Sequence, residues 1–333
     1  MNSKISIAPM VDRTDRHFRY LLRHLTPRSL LYTEMHTTGA VIFGNRDRIL
    51  GFDPMEKPLA LQLAGDNTTD LSKAVKIAEE WPYDEINLNV GCPSDKVQEA
   101  NYGACLMAHP ALVGDLVRAM KDSTSKPVTV KHRIGIDNRE SYSEMVEFVD
   151  HCAAAGADRF IIHARIAILT GLNPKENREI PPLRYEDVYQ LKKEFPHLVI
   201  EINGGIRNVS QVLQHLEHTD GVMLGRLSYE NPYYLTEIER QLYQDPLRHL
   251  TRRYIIEKMI PHLDDWEKQG WSSHKTYRHL TSLFYRLRGT KKWKQLLSPP
   301  YNKNWKGGDV LRHALDVMPS EALDTLEAPE DVD

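Results

Sequence analysis

The stretch EINLNVGCPSDKVQEANYGACLM, residues 85–107, carries the most information about the fold of this chain. Residues 86–90 form a short apolar run that predicts a β-strand, and Gly91-Cys92-Pro93 ends it. A loop follows, in which Cys105 comes shortly after Gly103. Enzymes with an α/β barrel place reacting groups on loops at the C-terminal ends of strands. The stretch therefore predicts a strand followed by a loop that presents a thiol.

Similar apolar, β-rich runs recur along the chain, with segments of helical spacing between them. The predicted strands are residues 5–9, 30–35, 59–64, 86–90, 128–133, 160–165, 198–203 and 222–226. The clearest helical segments are residues 70–80, 111–122, 142–155 and 210–216. An open doubly wound sheet shows the same alternation, but eight β/α repeats favour a (β/α)8 TIM barrel.

The alternation ends near residue 243, and a helical pattern with mixed aromatic and basic residues follows. Residues 269–308 contain no Asp or Glu, and their nine basic residues are Lys275, Arg278, Arg286, Arg288, Lys291, Lys292, Lys294, Lys303 and Lys306. Residues 309–333 carry eight acidic residues against Arg312 alone. We predict a catalytic barrel in residues 1–242, an all-helical domain in residues 243–318 and a disordered acidic tail in residues 319–333.

Composition limits the setting in which the protein works. Apolar residues make up 41% of the 333-residue chain and charged residues 27%, which is usual for a soluble protein. No run reaches the ~20 apolar residues that span a bilayer, and the N-terminal MNSKISIAPM lacks a signal-peptide layout. The three cysteines form no CxxC motif, and no metal-ligand spacing is evident. We expect a cytoplasmic protein with free thiols and no metal, and nothing requires more than a monomer.

Special residues end most of the predicted strands, which packing alone does not require. Asn203-Gly204-Gly205 and Gly225-Arg226 follow strands seven and eight, where many barrels bind phosphate. Glycines let backbone N–H groups approach a phosphate. Either motif alone would fit an ordinary turn, but their joint position favours a phosphate site.

Three polar residues in otherwise apolar strands suggest a bound ring. Gln62 could donate to a ring carbonyl or satisfy a neighbouring backbone group. Lys131 could pair with Glu34 or face an anion such as a reduced flavin. His163 could bind a ligand, although a single strand-end histidine is often structural.

These residues together resemble the tRNA-dihydrouridine synthases. The blocks APMVDRTDRHFR, LYTEMHTTGA, LALQLAG, INLNVGCPSDKVQEANYGACLM, VTVKHRIGID, FIIHARIA, NPKENREIPPL, EINGGIR and DGVMLGR look like the family's blocks, in the right order, over residues 5–226. YTEMHTTGA and KENREIPPL look most like the bacterial branch that modifies positions 20 and 20a. NGGI and GR occur in other flavin barrels, whereas the paired GCPS and GACLM motifs are more specific.

The resemblance implies a set of site residues. It implies that FMN is held by Pro9, Met10, Gln62, Lys131, His163, Asn203, Gly204, Gly205, Gly225 and Arg226. It implies that Cys105 is the catalytic proton donor. It implies substrate or tRNA contacts at Asn89, Tyr102, Lys175, Arg178, Lys291 and Lys294. Ile166 stands where the family commonly has a basic residue, which affects one expected phosphate or RNA contact but not the chemistry.

The implied reaction is reduction of the C5=C6 bond of uridine in the tRNA D-loop to 5,6-dihydrouridine. Hydride passes from N5 of reduced FMN to C6, and Cys105 gives a proton to C5, with NADPH or NADH reducing the flavin again. A thiol on a mobile loop suits this protonation. Cys92 is the rival donor, in a turn where a small apolar residue would also serve, and Cys152 fits helix packing. The acid-free segment suits RNA backbone contact, although each single lysine also fits a solvated helix face.

Other functions share part of this pattern. A flavin barrel acting on a free pyrimidine has the phosphate motifs but does not need a basic helical domain. An RNA chaperone with a catalytically inactive barrel would not need Gln62, Lys131, His163 and Cys105. A sugar-phosphate isomerase would leave the residues at the flavin edge without a role.

Overall fold

The computed structural model describes residues 3–244, 250–302 and 304–330. Lys303, part of the region predicted to be helical (245–249) and the end of the predicted tail (331–333) lie outside the described residues. The strands are β1 Ile5–Ile7, β2 Leu31–Thr37, β3 Leu59–Ala64, β4 Glu85–Val90, β5 Val128–Arg133, β6 Arg159–His163, β7 Ile200–Asn203 and β8 Gly221–Leu224. They form one sheet in the order β1-β8-β7-β6-β5-β4-β3-β2, and each pair is parallel.

The first and second strands close this sheet into a barrel. Ser6 forms a parallel bridge with Leu30, just before β2. The N–H of Ile7 donates to the carbonyl of Leu30 (2.9 Å), and the N–H of Leu30 donates to the carbonyl of Ile5 (3.1 Å). These bonds join the two edges that an open sheet would leave unpaired. The predicted TIM barrel is confirmed.

Strand bounds follow the prediction most closely in the centre of the chain. The predicted residues 59–64 and 128–133 are the observed β3 and β5. β6 ends at His163 and β8 at Leu224, two residues before the predicted ends. The N–H of Arg165 turns back to the carbonyl of His163 (2.7 Å), so the chain leaves the sheet there. Apolar content alone could not show where this turn begins.

Helices alternate with the strands of the barrel and then follow one another. They are α1 Arg16–Leu25, α2 Thr38–Phe43, α3 Arg46–Leu50, α4 Thr68–Ala78, α5 Asp95–Gln98, α6 Pro110–Lys121, α7 Tyr142–Ala154, α8 Tyr185–Glu194, α9 Val209–Leu216, α10 Arg226–Glu230, α11 Leu235–Tyr243, α12 Arg252–Lys268, α13 Tyr277–Leu280, α14 Thr290–Leu296, α15 Asp309–Val317 and α16 Ser320–Asp324. Local sequence sets several starts: Ser141 and Glu144 form a capping box at α7. The described residues contain no helix that is both long and apolar enough to cross a bilayer.

The inside of the barrel is partly polar. A small apolar cluster includes Tyr32, Ala60, Ile161 and Met223. Toward the N-terminal ends of the strands, the Arg159 guanidinium lies between two carboxylates. It bonds to Glu85 and is 3.6 Å from Glu201. Buried charges of this kind need partners, and here each sign has one.

The chain divides into two compact units. One comprises Met1–Thr14, Ser29–Ile206 and Gln211–Gly225, and the other Asp15–Arg28, Arg207–Ser210 and Arg226–Asp333. This division differs from the predicted domains, because α1, α10 and α11 fall in the second unit. Within that unit, Glu239 on α11 accepts a hydrogen bond from Thr26 (2.6 Å) and pairs with Arg28 (3.2 Å). Contacts this distant in sequence cannot be read from local composition.

Buried aromatic and cationic side chains organise the second unit. Trp293 is buried and donates its Nε1–H to the carbonyl of Leu280 (2.7 Å). Arg252 is buried and lies over the ring of Tyr233, 3.6 Å from its centroid. The structure also contains a helix, α16, in the segment predicted as a disordered tail, because Leu323 is buried there.

Candidate active site

Polar side chains from consecutive strands meet at the C-terminal end of the barrel. Gln62 comes from β3, Asn89 from β4, Lys131 from β5, His163 from β6 and Asn203 from β7. Asn89 is in register with Lys131, and His163 with Asn203. Residues in register on adjacent parallel strands lie side by side, so each of these two pairs is adjacent at this end of the barrel.

Two amide side chains connect the start of the loop after β4 to the C-terminal end of the barrel. The Nδ2–H of Asn89 donates to Oε1 of Gln62 (2.8 Å). Oδ1 of Asn89 accepts from the backbone N–H groups of Gly91 and Cys92, each at 3.1 Å. The start of the cysteine-bearing loop is therefore held by a residue that faces the barrel interior.

Lys131 carries a cationic group without a close carboxylate. Its Nζ donates to Oδ1 of Asn203 (3.4 Å), and Asn203 donates in turn to the carbonyl of Met223 (2.8 Å). Among the described residues, no carboxylate lies within 4.0 Å of the ammonium, so the pairing with Glu34 considered above does not form. Burial, with repulsion from Arg133, lowers the pKa of Lys131 to about 8.

Arg133, at the end of β5, links two loops. It donates to the backbone carbonyls of Gly91 (3.1 Å), Ile166 (2.8 Å) and Asn177 (3.0 Å). Burial, together with repulsion from Arg178, lowers its pKa to about 10. Arg133 therefore holds the loops after β4 and β6 through neutral carbonyls and keeps its charge uncompensated.

The potential at this end of the barrel is positive. The cationic side chains that act on His163 are Arg133, Lys131, Arg165 and Arg178. Burial first, and then these charges, hold the pKa of His163 well below its usual value, so the imidazole is neutral at pH 7. A set of cations that repel one another at a strand-end site fits an anionic ligand.

The glycine motif after β7 has a turn conformation that a side chain would disturb. Gly204 has φ +120°, and a Cβ there would lie 2.6 Å from Cδ2 of His163. Its carbonyl accepts a hydrogen bond from the Tyr185 hydroxyl (2.7 Å). Around Gly225, only the Cβ of Ala8 would come within 4 Å of an added Cβ. Gly204 is thus required by its own turn, whereas Gly225 leaves open space.

Cys105 lies in a 3-10 turn, Gly103–Ala108, and is half-buried. Its thiol donates to the carbonyl of Tyr102 (3.2 Å). Burial raises the pKa of the Cys105 thiol. The sulfur therefore keeps its proton at neutral pH, which suits an acid rather than a thiolate nucleophile.

The other two cysteines differ in surroundings. Cys92 is half-buried, and its thiol lies 3.6 Å from the Ser94 hydroxyl. Cys152 is fully buried on α7, as the sequence predicts, and burial raises the pKa of its thiol. Among the described residues, no group of three or more His, Cys, Asp or Glu side chains could hold a metal ion.

The remaining predicted contacts lie on loops and on the second unit. Pro9 and Met10 are half-buried just after β1, and the 3-10 turn Glu176–Arg178 after β6 carries Arg178, with Lys175 just before it. Arg226 begins α10, in the second unit. In that unit, Lys291 and Lys294 are exposed on α14 and line a groove of about 640 Å³ with Thr290, Gln295, Ser298 and Pro299.

Arg133 and Arg165 end two of the predicted strands, but the sequence alone indicates no role for them. The sequence also does not single out Asn87 and Thr129, two buried polar residues beneath the strand ends. Their signal is the two-residue periodicity of the strands: Asn87 and Asn89, and Thr129 and Lys131, occupy alternating positions that point to the same side.

Comparison with known proteins identifies the family. A sequence model described as Dihydrouridine synthase (Dus) matches residues 6–316. The chain belongs to the dihydrouridine synthase family, and it is an enzyme, an NAD(P)H-dependent oxidoreductase.

Relatives named tRNA-dihydrouridine(20/20a) synthase cover nearly the whole chain. That of Synechocystis sp. is 53% identical over 314 residues, 94% of each chain. That of Pseudomonas putida is 51% identical over 315 residues, covering 95% of this chain and 94% of the relative. That of Pasteurella multocida is 49% identical over 317 residues, covering 95% of this chain and 97% of the relative.

A solved structure supports the fold alone. A complex of 2-naphthoyl-CoA reductase with 2-naphthoyl-CoA superposes with a TM-score of 0.54 at 10% identity, over 73% of this chain and 50% of that chain. This likeness is one of architecture.

Proposed function

We propose that this protein reduces the C5=C6 bond of uridine in the D-loop of tRNA to 5,6-dihydrouridine, at positions 20 and 20a. The relatives that carry this activity in their names align with almost the entire chain. FMN is the proposed cofactor and NADPH, or NADH, the proposed reductant. A cytoplasmic monomer meets the needs of such a reaction, since tRNA, reductant and free thiols occur together there.

FMN is proposed to bind at the strand ends. The residues that would hold it are Pro9, Met10, Gln62, Lys131, His163, Asn203, Gly204, Gly205, Gly225 and Arg226. The donor set fits an anionic flavin and its phosphate: within the described part of the chain, Lys131 and Arg133 have no carboxylate among their hydrogen-bond partners, and Gly225 leaves open space. When bound, reduced FMN supplies the hydride for C6.

Cys105 is proposed to hold the proton that C5 receives. Burial raises its pKa, so Sγ is protonated at neutral pH, and its turn follows the strand that carries Asn89. The hydrogen bond to the Tyr102 carbonyl keeps the thiol oriented until substrate arrives. A positioned general acid contributes ~10²- to 10⁴-fold to such a step.

The proposed tRNA contacts lie in both units. Asn89 and Tyr102 would meet the target base and its surroundings, Lys175 and Arg178 the RNA beside it, and Lys291 and Lys294 the backbone further away. The base has to leave its stack to reach a ring at the strand ends, as in other enzymes that act on nucleobases.

One observation carries the proposal: the loop after β4 carries a thiol that keeps its proton, and β3 to β7 end in a series of polar donors and cations. The test compares Cys105→Ala with the matched variant Cys92→Ala. Each protein is loaded with FMN, reduced by NADPH without tRNA, and then mixed with an unmodified tRNA transcript. Flavin reoxidation and dihydrouridine formation are followed together.

We expect Cys105→Ala to bind FMN and accept electrons from NADPH normally. Its reoxidation by tRNA should slow by ~10²-fold or more, because only the proton transfer is lost. Cys92→Ala should stay within a few-fold of wild type. The opposite pattern, with Cys92→Ala inactive and Cys105→Ala active, would transfer the role to Cys92.

A further inference from the structure

A chain of buried polar side chains runs through the barrel beneath the strand ends. Its members are Glu85, Asn87 and Asn89 on β4, Gln62 on β3 and Thr129 on β5. None is more than 8% exposed. Polar groups this deeply buried must be hydrogen-bonded to one another, because water does not reach them.

At its lower end, the chain of side chains meets Glu85, whose carboxyl oxygens accept hydrogen bonds. Glu85 accepts from the Tyr32 hydroxyl (2.7 Å), from the Thr129 hydroxyl (2.6 Å) and from the Arg159 guanidinium. All three donors are directed at the two carboxyl oxygens of Glu85, which act here as acceptors. Thr129 has one hydroxyl proton, and it is committed to Glu85.

Because the Thr129 hydroxyl donates to Glu85, the direction of each remaining hydrogen bond in the chain is fixed. The Thr129 oxygen can then only accept, and it receives Nδ2–H of Asn87 (2.8 Å). Oδ1 of Asn87 accepts from Nε2–H of Gln62 (2.7 Å), and Oε1 of Gln62 accepts from Nδ2–H of Asn89 (2.8 Å). All three bonds therefore run in one direction, with Asn89, the member at the C-terminal end of β4, as the last donor.

The hydrogen bonds of Asn89, at the other end of the chain of side chains, independently require the same donor-to-acceptor direction. Oδ1 of Asn89 accepts from the backbone N–H groups of Gly91 and Cys92. A backbone N–H can only donate, so the amide of Asn89 cannot turn over. Side-chain amides are otherwise readily inverted by a half-turn, but here acceptor-only and donor-only ends exclude the inverted chain.

We infer that Asn87 and Thr129, anchored on Glu85, are positioning residues that make Gln62 and Asn89 present N–H groups, not carbonyl oxygens, to the ligands at the strand ends. The carbonyl oxygens of both amides are used within the chain. Each nitrogen keeps a second N–H, which matches carbonyl oxygens of a flavin or a uracil. The role of these ligands rests on the proposed function, whereas the direction of the chain does not.

The test breaks the chain at Thr129, two residues away from Gln62 and three from Asn89 in the order of hydrogen bonds. Thr129→Val keeps the shape and removes the hydroxyl, and Thr129→Ser restores the hydroxyl. Thr219→Val is the matched control, because Thr219 is also buried but its hydroxyl donates to the backbone carbonyls of His215 and Gly221 and not to a side-chain amide of this chain of hydrogen bonds.

Two measurements are made on each protein. The first follows the side-chain NH₂ resonances of Asn87, Gln62 and Asn89 in flavin-free protein by NMR, with their exchange against solvent. The second is the dissociation constant of FMN from fluorescence titration. In Thr129→Val we expect all three NH₂ pairs to shift and exchange faster, and FMN to bind roughly tenfold more weakly. Thr129→Ser and Thr219→Val should resemble wild type in both measurements.

The inference is overturned if Thr129→Val alters only the Asn87 resonances, or if Thr219→Val weakens FMN as much as Thr129→Val does. A protein that takes up no FMN in its wild-type form would instead contradict the proposed function, since the resonances test the chain without any ligand. A loss of stability without a change at Gln62 and Asn89 would show that Thr129 is merely structural, which also overturns the inference.

Discussion

At the scale of single residues, Lys131 couples the proposed cofactor site to pH. Its pKa is lowered to about 8 by burial and by Arg133, so the side chain is cationic below that pH and neutral above it. A bound anion favours the cationic form, so binding raises this pKa. We therefore expect FMN affinity to be constant below about pH 7 and to fall by up to about tenfold per pH unit above about pH 8.

Fluorescence titration of FMN across this range measures the effect. Lys131→Met should weaken binding at pH 7 and remove this pH dependence, and Lys131→Arg should keep the affinity at high pH. Lys126→Met is the control, because the half-buried Lys126 is already paired with a carboxylate, that of Glu79, at 2.7 Å. A Lys131→Met protein with the wild-type pH dependence would show that another group titrates.

Residue types at strand ends could be predicted from the sequence, but their partners could not. The apolar run around Gln62 indicated that its amide needs a partner. The partners are Asn87 and Asn89, which adjacent-strand register brings beside it. Lys131 meets Asn203, 72 residues away in sequence. Such pairings depend on how the barrel closes, and no local pattern encodes that.

At the scale of an element, the turn that carries Cys105 depends on Gly103. Gly103 has φ +78°, where a side chain is strained, and a Cβ would lie 2.5 Å from Cγ1 of Val97 and 2.6 Å from the carbonyl oxygen of Cys92. The same carbonyl accepts the N–H of Ala104 (2.9 Å), which starts the turn. We expect Gly103→Ala to displace the turn and to slow dihydrouridine formation by more than about tenfold, with about 1–3 kcal/mol lost in unfolding free energy.

A matched variant separates backbone strain from displacement of the thiol. Gly156 has φ +95°, but the nearest atoms to an added Cβ belong to the flexible Lys121 side chain at 3.7 Å. Gly156→Ala should lose similar stability in urea unfolding and keep full activity on tRNA. Equal activity of the two variants would mean that the turn tolerates a side chain at position 103.

The extent of each element was easier to predict where both faces are buried. β3 and β5 are covered on both sides and match their apolar runs residue for residue. β6 stops at His163 because Arg165 turns away to donate to the carbonyls of Glu179 and Pro181. Side-chain contacts made by the loops therefore determine where the strands near the site end. The periodicity of the sequence does not predict such contacts.

At the scale of the whole molecule, the sequence predicts the barrel and a helical region, but not how the chain is shared between them. α1 follows the first strand yet belongs to the second unit. Its N-cap residue, Asp15, pairs with His279 (2.9 Å) and Arg278 (3.0 Å), more than 260 residues later. Burial opposes the ionisation of Asp15, but the contact with His279 holds the pKa of this carboxyl well below its usual value. Asp15, which the local sequence predicts only as a helix cap, therefore also joins two parts of that unit that are distant in sequence.

The second unit carries two exposed lysines that are proposed to contact RNA, and this proposal can be tested through salt. Lys291 and Lys294 are exposed on α14, while Trp293 between them is buried and fixes the helix. The double variant Lys291→Glu/Lys294→Glu should bind tRNA at least about tenfold more weakly at low salt. The slope of log K against log[salt] should become shallower by about 2, one for each lost phosphate contact.

Lys258→Glu/Lys268→Glu makes the same change in net charge on α12 of the same unit and serves as the control. It should leave the slope near that of wild type, because a diffuse field is screened within ~10 Å whereas a phosphate contact is lost outright. FMN reduction by NADPH should be unchanged in both proteins. If both double variants weaken tRNA binding equally, the unit attracts RNA through its overall charge and α14 makes no particular contact.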